Sequence, residues 1–182
     1  MDNIPDNFIP LTKHVLIKRE DADSEKGGII IPEVYRLRGC RAEVVRIGNG
    51  VKNVTNGDQI LYWKEYTVLP FKEREMAITE DEYILAKIEL DVVAGNVERI
   101  IPLGSWVMIR MDRSSCQDDG IYLTDRTEKS ASWGTVVRIG DDCKAVKPDK
   151  RVYFETNKGM VCVENDTKCR LVKEEDVLCI LD

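Results

Sequence analysis

The sequence contains a single histidine, His14, and none of its six cysteines forms a C-x-x-C pair. Zinc sites of finger or ribbon spacing need such pairs, so they are excluded. Positive charge is not in excess: 27 Lys and Arg stand against 33 Asp and Glu, a net charge of −6. A nucleic-acid footprint needs a basic surface, so DNA and RNA are not expected partners. No apolar run approaches the roughly 20 residues that cross a bilayer. The opening "MDNIPDNFIPL" has no basic segment followed by an apolar stretch, and no Arg- and Ser-rich transit segment is visible. The expectation is a cytoplasmic protein, bacterial or in a host cell, and a processed organellar chain would read the same way. Without a secretory context, Cys40, Cys116, Cys143, Cys162, Cys169 and Cys179 read as free thiols, several of them buried.

Catalytic constellations are equally scarce. His14 sits on an alternating stretch with no repeated Asp, Ser or Cys group around it, which reads as a strand residue rather than a general base. The carboxylates show no shared paired spacing and read as a solvated surface. "GNGVKNVTNG" lacks the Lys-Ser/Thr ending of a phosphate loop and reads as a turn. No enzyme, metal or cofactor is expected. No segment carries a helical period of useful length.

What the chain does have is a copy of itself. "FIPLTKHVLIKR" from Phe8 matches "IIPLGSWVMIRM" from Ile100, with Pro10 facing Pro102, an offset of 102 − 10 = 92. "AEVVRIG" at Ala42 matches "GTVVRIG" at Gly134, again 134 − 42 = 92. Near the ends Leu85 faces Leu178, an offset of 93, so one residue has been inserted. The division reads as a first domain over residues 1–90, a linker over 91–99 and a second domain over 100–182. His14 faces Trp106, which argues further against chemistry at that position.

Within a unit the periodicity is that of strands. In "KHVLIKRE" Val15 and Ile17 point one way and His14, Leu16 and Lys18 the other. "AEVVRIG", "DQILYW" and "YILAKIE" give further strands, punctuated by Gly and Asn. Short strands at regular spacing predict an all-β fold, a small barrel or sandwich in each half.

Between the first two strands of each unit lies a long connection, residues 20–40 and 112–132. Loops of that length are functional or disordered. Each carries a glycine followed by three apolar residues: Gly28-Ile29-Ile30-Ile31 and Gly120-Ile121-Tyr122-Leu123. Either triplet is a short core or edge strand, or it is a docking peptide carried on a loop. Pro32 leans towards the second reading, because proline does not continue a central strand.

In order and spacing, "IPLTKHVLIKRE", "GGIII", "AEVVRIGNG", "NGDQILYW" and "TEDEYILAKIE" resemble the GroES-type co-chaperonins. The first unit is similar throughout, the second more loosely. The resemblance implies two tandem GroES-like small irregular β-barrels in a homo-oligomeric ring. It implies pairing of a first strand (11–18, 103–110) with a neighbour's last strand (84–89, 177–181). It also implies a partner, an ATP-bound GroEL-type chaperonin, which encloses an unfolded client. The chaperonin-binding residues would be Gly27, Gly28, Ile29, Ile30 and Ile31, and less securely Gly120, Ile121, Tyr122 and Leu123. Burying one such side chain is worth roughly 1.5–3 kcal/mol. Ordering the loop removes much of that, so docking would rely on a ring of loops acting together.

The chain departs from the family pattern twice. Residues 48–58 and 140–150 are too few for the hairpin that roofs the familiar lid, which implies an open or shallow roof. The duplication also sets paired domains against seven chaperonin sites. The alternative is a structural or interaction protein that keeps the barrel and no longer docks. A zinc dehydrogenase-like barrel lacks its Cys and His ligands here.

Overall fold

Val15, Leu16 and Ile17 are fully buried at the centre of β1, His14–Arg19. Val15 and Ile17 share one core cluster, and Leu16 points to the opposite face by the two-residue period. Both faces of this strand are covered, so the alternation seen in the sequence separates two buried sides rather than a wet side and a dry one. β1 lies between two antiparallel neighbours, β4 (Cys40–Ile47) and β7 (Met76–Glu80).

The computed structural model describes residues 5, 7–20, 25–26, 29–30, 40–63, 66–69, 75–91, 97–112, 131–155, 157–165 and 167–181. Besides β1, β4 and β7, the first half forms β2 (Glu25–Lys26), β3 (Ile29–Ile30), β5 (Gln59–Tyr62), β6 (Thr67–Val68), β8 (Ile84–Asp91) and β9 (Val97–Pro102). Seven of these make one sheet in the order β6-β7-β1-β4-β5-β8-β9, and β2 and β3 pair apart from it. The second half forms β10 (Trp106–Met111), β11 (Ala131–Ile139), β12 (Arg151–Glu155), β13 (Met160–Glu164), β14 (Thr167–Lys173) and β15 (Val177–Leu181). Their order, β13-β14-β10-β11-β12-β15, repeats that of the first sheet. A single 3-10 turn precedes β8 and another precedes β15. The expected all-β fold of two tandem units is what the chain adopts. Among the described residues, no helix is long and apolar enough to cross a membrane.

The repeat reaches into fine detail. The cores correspond residue by residue: Val15, Ile17, Val44, Val54, Ile60 and Tyr62 in one, Val107, Ile109, Val136, Val146, Val152 and Phe154 in the other. The register of β1 on β4 slips between Leu16 and Ile17, and that of β10 on β11 slips between Met108 and Ile109. Thr12 and Gly104, before these strands, both have φ of 53°. At Gly48 the chains approach so closely that a Cβ would collide with the Thr12 carbonyl, which explains a glycine there. The inserted residue falls between β12 and β14, because Phe154 still matches Tyr62 while Val172, opposite Val107, matches Thr79, opposite Val15.

The chain divides into units Met1–Leu103 and Gly104–Asp182. β9 belongs to the first of these, since it adds to that unit's sheet by pairing with β8. β9 has no counterpart: residues 5 and 7–11, its equivalents in the repeat, form no strand.

Candidate functional site

Two surfaces were expected to matter, the long loops and the strand edges. The loop of unit 1 leaves the sheet beside a closed backbone pair, Glu20 N–H donating to Arg41 O at 3.0 Å. Its counterpart in unit 2 leaves where Asp112 N–H donates to Trp133 O at 3.1 Å. Arg151 reinforces the second root. It donates to Asp112 from Nε and Nη2 at 3.1 and 2.8 Å, and its guanidinium lies 5.2 Å from the centre of the Trp133 ring. Both loops therefore spring from a fixed base at the same end of the repeat.

Within the first loop, Ile29 and Ile30 pair with Lys26 and Glu25 in a two-residue ladder separate from the main sheet. Of the expected chaperonin-binding residues, Gly27, Gly28, Ile31, Gly120, Ile121, Tyr122 and Leu123 lie outside the described residues.

The edges are the more informative surface. Expected first strands 11–18 and 103–110 correspond to β1 and β10, and each already has both edges filled, by β4 and β7 and by β11 and β14. A strand has two edges only, so neither can pair with a neighbour. Ahead of β10, the stretch before the strand takes a sheet edge instead. β9 runs antiparallel along β8 from Val97 opposite Asp91 to Pro102 opposite Ala86. Ile100 is 2% exposed, and Leu103 packs against the unit 1 core. Arg41 clamps the pair by donating from Nη1 and Nη2 to the two Glu98 carboxylate oxygens at 2.9 and 2.7 Å. That bond holds the Glu98 carboxyl below its usual range, against the opposing effect of partial burial.

Among the described residues, nothing pairs with the matching edge in unit 2. β15 ends its sheet, and Leu178, Ile180 and Leu181 are 53%, 38% and 50% exposed. In unit 1 the equivalents of Ile101 and Leu103 are Ile9 and Leu11, at 71% and 74% exposed. Sequence reasoning missed this asymmetry. The signal available was the repeat itself: it makes residues 97–103 a copy of 5–11 and puts the junction where a strand could form.

His14 Nδ1 lies 2.9 Å from Leu11 O, and its Nε2 is 4.0 Å from Glu80 at the surface. Among the described residues no three His, Cys, Asp or Glu are placed to hold a metal. Cys162 and Cys169 face each other across β13 and β14, and burial raises the Cys162 thiol to about 12, which makes it unreactive as a thiolate.

The family described as "Chaperonin 10 Kd subunit" matches twice, over residues 7–88 and 99–181. The 20 kDa chloroplast chaperonin of Arabidopsis thaliana is 29% identical over 142 residues, covering 72% of this chain and 54% of that protein. The chain thus spans about half the length of that relative. The co-chaperonin GroES of Campylobacter jejuni subsp. doylei is 32% identical over 90 residues, 49% of this chain and 95% of its own length. That of Chlamydia caviae is 33% identical over 95 residues, 47% of this chain and 86% of its own. With the same barrel framework in both halves and the family matching each, the chain belongs to the chaperonin 10 kDa, or GroES-type, family as a tandem pair of its domains.

Proposed function

We propose that this protein is a co-chaperonin that caps an ATP-bound GroEL-type chaperonin ring and closes the chamber in which an unfolded client folds. The observation that carries the reading is the pair of family barrels, each interrupted at the same place by a long loop rooted on a fixed base. Ile29 and Ile30, with Gly27, Gly28 and Ile31, form the anchor of the first loop, and Gly120, Ile121, Tyr122 and Leu123 that of the second. ATP hydrolysis belongs to the chaperonin, and this chain supplies binding alone. Residues 48–58 and 140–150 contain no strand, which supports a lid with an open or shallow roof.

Copies join head to tail. Residues 5–11 of one copy extend along β15 of the next, as β9 does along β8. Carrying over the β8–β9 register, with offsets of 92 and 93, puts Ile9 opposite Ile180 and Phe8 opposite Leu181. A contact between two different surfaces repeats until it closes, which is how a ring forms.

The test is co-elution with a chaperonin and ATP on a sizing column, for the unaltered chain and for Ile30→Asp and Tyr122→Asp. Nucleotide-dependent binding abolished by Ile30→Asp supports the reading. Binding lost with Ile30→Asp alone assigns docking to the first unit. No complex, or one indifferent to both changes, refutes capping.

A further inference from the structure

Among the described residues β13 ends the second sheet, and its counterpart at the end of the first sheet is β6. β6 has two residues, Thr67–Val68, and β13 has five, Met160–Glu164. A short edge strand offers little to pair with, and a long one is commonly blunted by Lys, Pro or a bulge on its open side. The length of β13 is built in. The inserted residue of the second unit lies between β12 and β14, and Gly159, with φ of 69°, brings the chain so close to β14 that a Cβ would collide with the Leu171 carbonyl.

The turn after β13 decides which of its backbone groups are open. Glu164 pairs with Thr167 across two residues, and the first of them, Asn165, has φ of 48°, as the tight primed turns require. A pair closed by a two-residue connection exchanges both backbone hydrogen bonds, and the exchange alternates along the ladder. The register runs on without a slip to Met160 opposite Leu171. Glu164, Cys162 and Met160 therefore direct their backbone groups at β14, and Val163 and Val161 direct theirs away from it. Both open positions are valine, and the Val163 side chain is 58% exposed.

We propose that β13 pairs antiparallel with β13 of a second copy, about a two-fold axis at Cys162. In this register Val161 of each copy faces Val163 of the other, and the open backbone groups of both valines find partners. A register shifted to the next open position in either direction sets only one valine against a valine. Charge also permits it. Lys168 stands opposite Val163 and Arg170 opposite Val161 within the sheet. Across the two copies these cations are three strand spacings apart, about 14 Å, which is beyond the Debye length at physiological salt. The contact is small against the roughly 1,600 Å² of a standard stable interface, so a single pair is weak and several edges presented together multiply it. A contact between identical surfaces closes at two copies. It uses the end of the sheet opposite β15, so it neither competes with the head-to-tail contact proposed above nor rests on it.

Sedimentation equilibrium of the full chain over a concentration series tests it. Ile180→Asp serves as the parent, because a charge in β15 suppresses association at that edge. The parent is expected to dimerise and to stop at two copies. Adding Val163→Lys should raise the concentration for half-dimerisation by about tenfold or more and leave the unfolding midpoint unchanged, since that side chain is exposed. Adding Val161→Glu to Val163→Lys sets opposite charges across both pairs of the two-fold register and should bring the dimer back to within about threefold of the parent. A parent that stays monomeric to millimolar concentration, association that passes two copies, or a dimer indifferent to Val163→Lys overturns the pairing. A dimer lost in Val163→Lys and not restored by the double change overturns the register, and the proposal with it.

Discussion

Residues 5–11 and residues 97–103 are one segment present twice, and they do opposite things. The second copy is strand β9, zipped along β8, with Ile100 buried and Glu98 clamped by Arg41. In the first, Phe8 O accepts from Arg46 Nη1 at 2.7 Å, and Ile9 and Leu11 are in water. Among the described residues the equivalent edges differ in the same way, since β8 is covered by β9 and β15 ends its sheet. The framework of this repeat is therefore local, whereas the fate of its edges depends on what stands next in the chain. Duplication has supplied the edge of β8 from within the same chain, through β9.

The largest expected effect comes from attacking the zipped copy. Ile100→Ala removes a fully packed side chain and should cost about 2–4 kcal/mol in denaturant unfolding. Phe8→Ala, at the equivalent position, should cost about 1 kcal/mol or less in dilute protein. Equal losses would break the comparison, because they would mean that both copies are packed alike. The two equivalent arginines come next. Glu164 has a side chain only 9% exposed, so Arg138→Met takes the guanidinium away from a carboxylate in a poorly hydrated site and should cost about 2–3 kcal/mol. Arg46→Met frees only backbone carbonyls near the surface, and its cost to unfolding should stay below about 1 kcal/mol.

Much of this was legible in the sequence. Val15 to Ile17, Val44 and Ile60 are β-branched or apolar at strand spacing, and the repeat doubled every such signal. β9 was not legible. "VERIIP" is short, ends in proline and lies at a domain junction, where nothing local says which neighbour supplies the other half of the ladder. Proline at its end is tolerated because an edge strand can spare one donor. The isoleucine triplet was legible as apolar and out of place, and β3 adds that Ile29 and Ile30 pair outside the main sheet. Arg41 and Glu98 were illegible as partners, since 57 residues separate them.

A smaller contrast separates the two units at their 3-10 turns. Glu174 accepts the amides of Lys144, Ala145 and Val146 at 2.8–3.1 Å. Those bonds, Val146 first, hold its carboxyl below the usual range. Asp81 is its equivalent and one methylene shorter. Burial raises it despite a bond from the Lys52 amide, and its Oδ1 is buried with no hydrogen-bond partner. The signs differ accordingly. Glu174 is lowered on folding, so its contribution is present above the unfolded value and lost as pH falls through the folded one. Asp81 is raised, so its contribution is present below the unfolded value and lost as pH rises through the folded one. Exchanging the lengths tests the cause. Glu174→Asp should lose about 1 kcal/mol near neutral pH, and Asp81→Glu should gain about as much by reaching further amides. Acid titration of the exchanged pair, followed by unfolding, should show the two pH dependences swapped.

The smallest effect sits directly beyond the duplicated segment, at Thr12 and Gly104. Both have φ of 53°, which a β-branched residue adopts only under strain. The left-handed conformation costs a non-glycine residue roughly 1–2 kcal/mol. Glycine avoids that but loses about 0.5–1 kcal/mol more in conformational freedom on folding. Thr12→Gly should therefore stabilise the unassociated chain by about 0.5 kcal/mol, and Gly104→Thr should destabilise it by a similar amount. At Gly104 the nearest atom to an added Cβ is Asp142 Oδ2 at 3.6 Å, an ordinary contact, so backbone strain alone is being measured. Paired thermal unfolding of the two variants reads the difference. Opposite and equal shifts would show that the two units hold their entry turns with the same backbone energy. The contrast between residues 5–11 and 97–103 would then arise from the edges available to them, not from strain in the turn that follows.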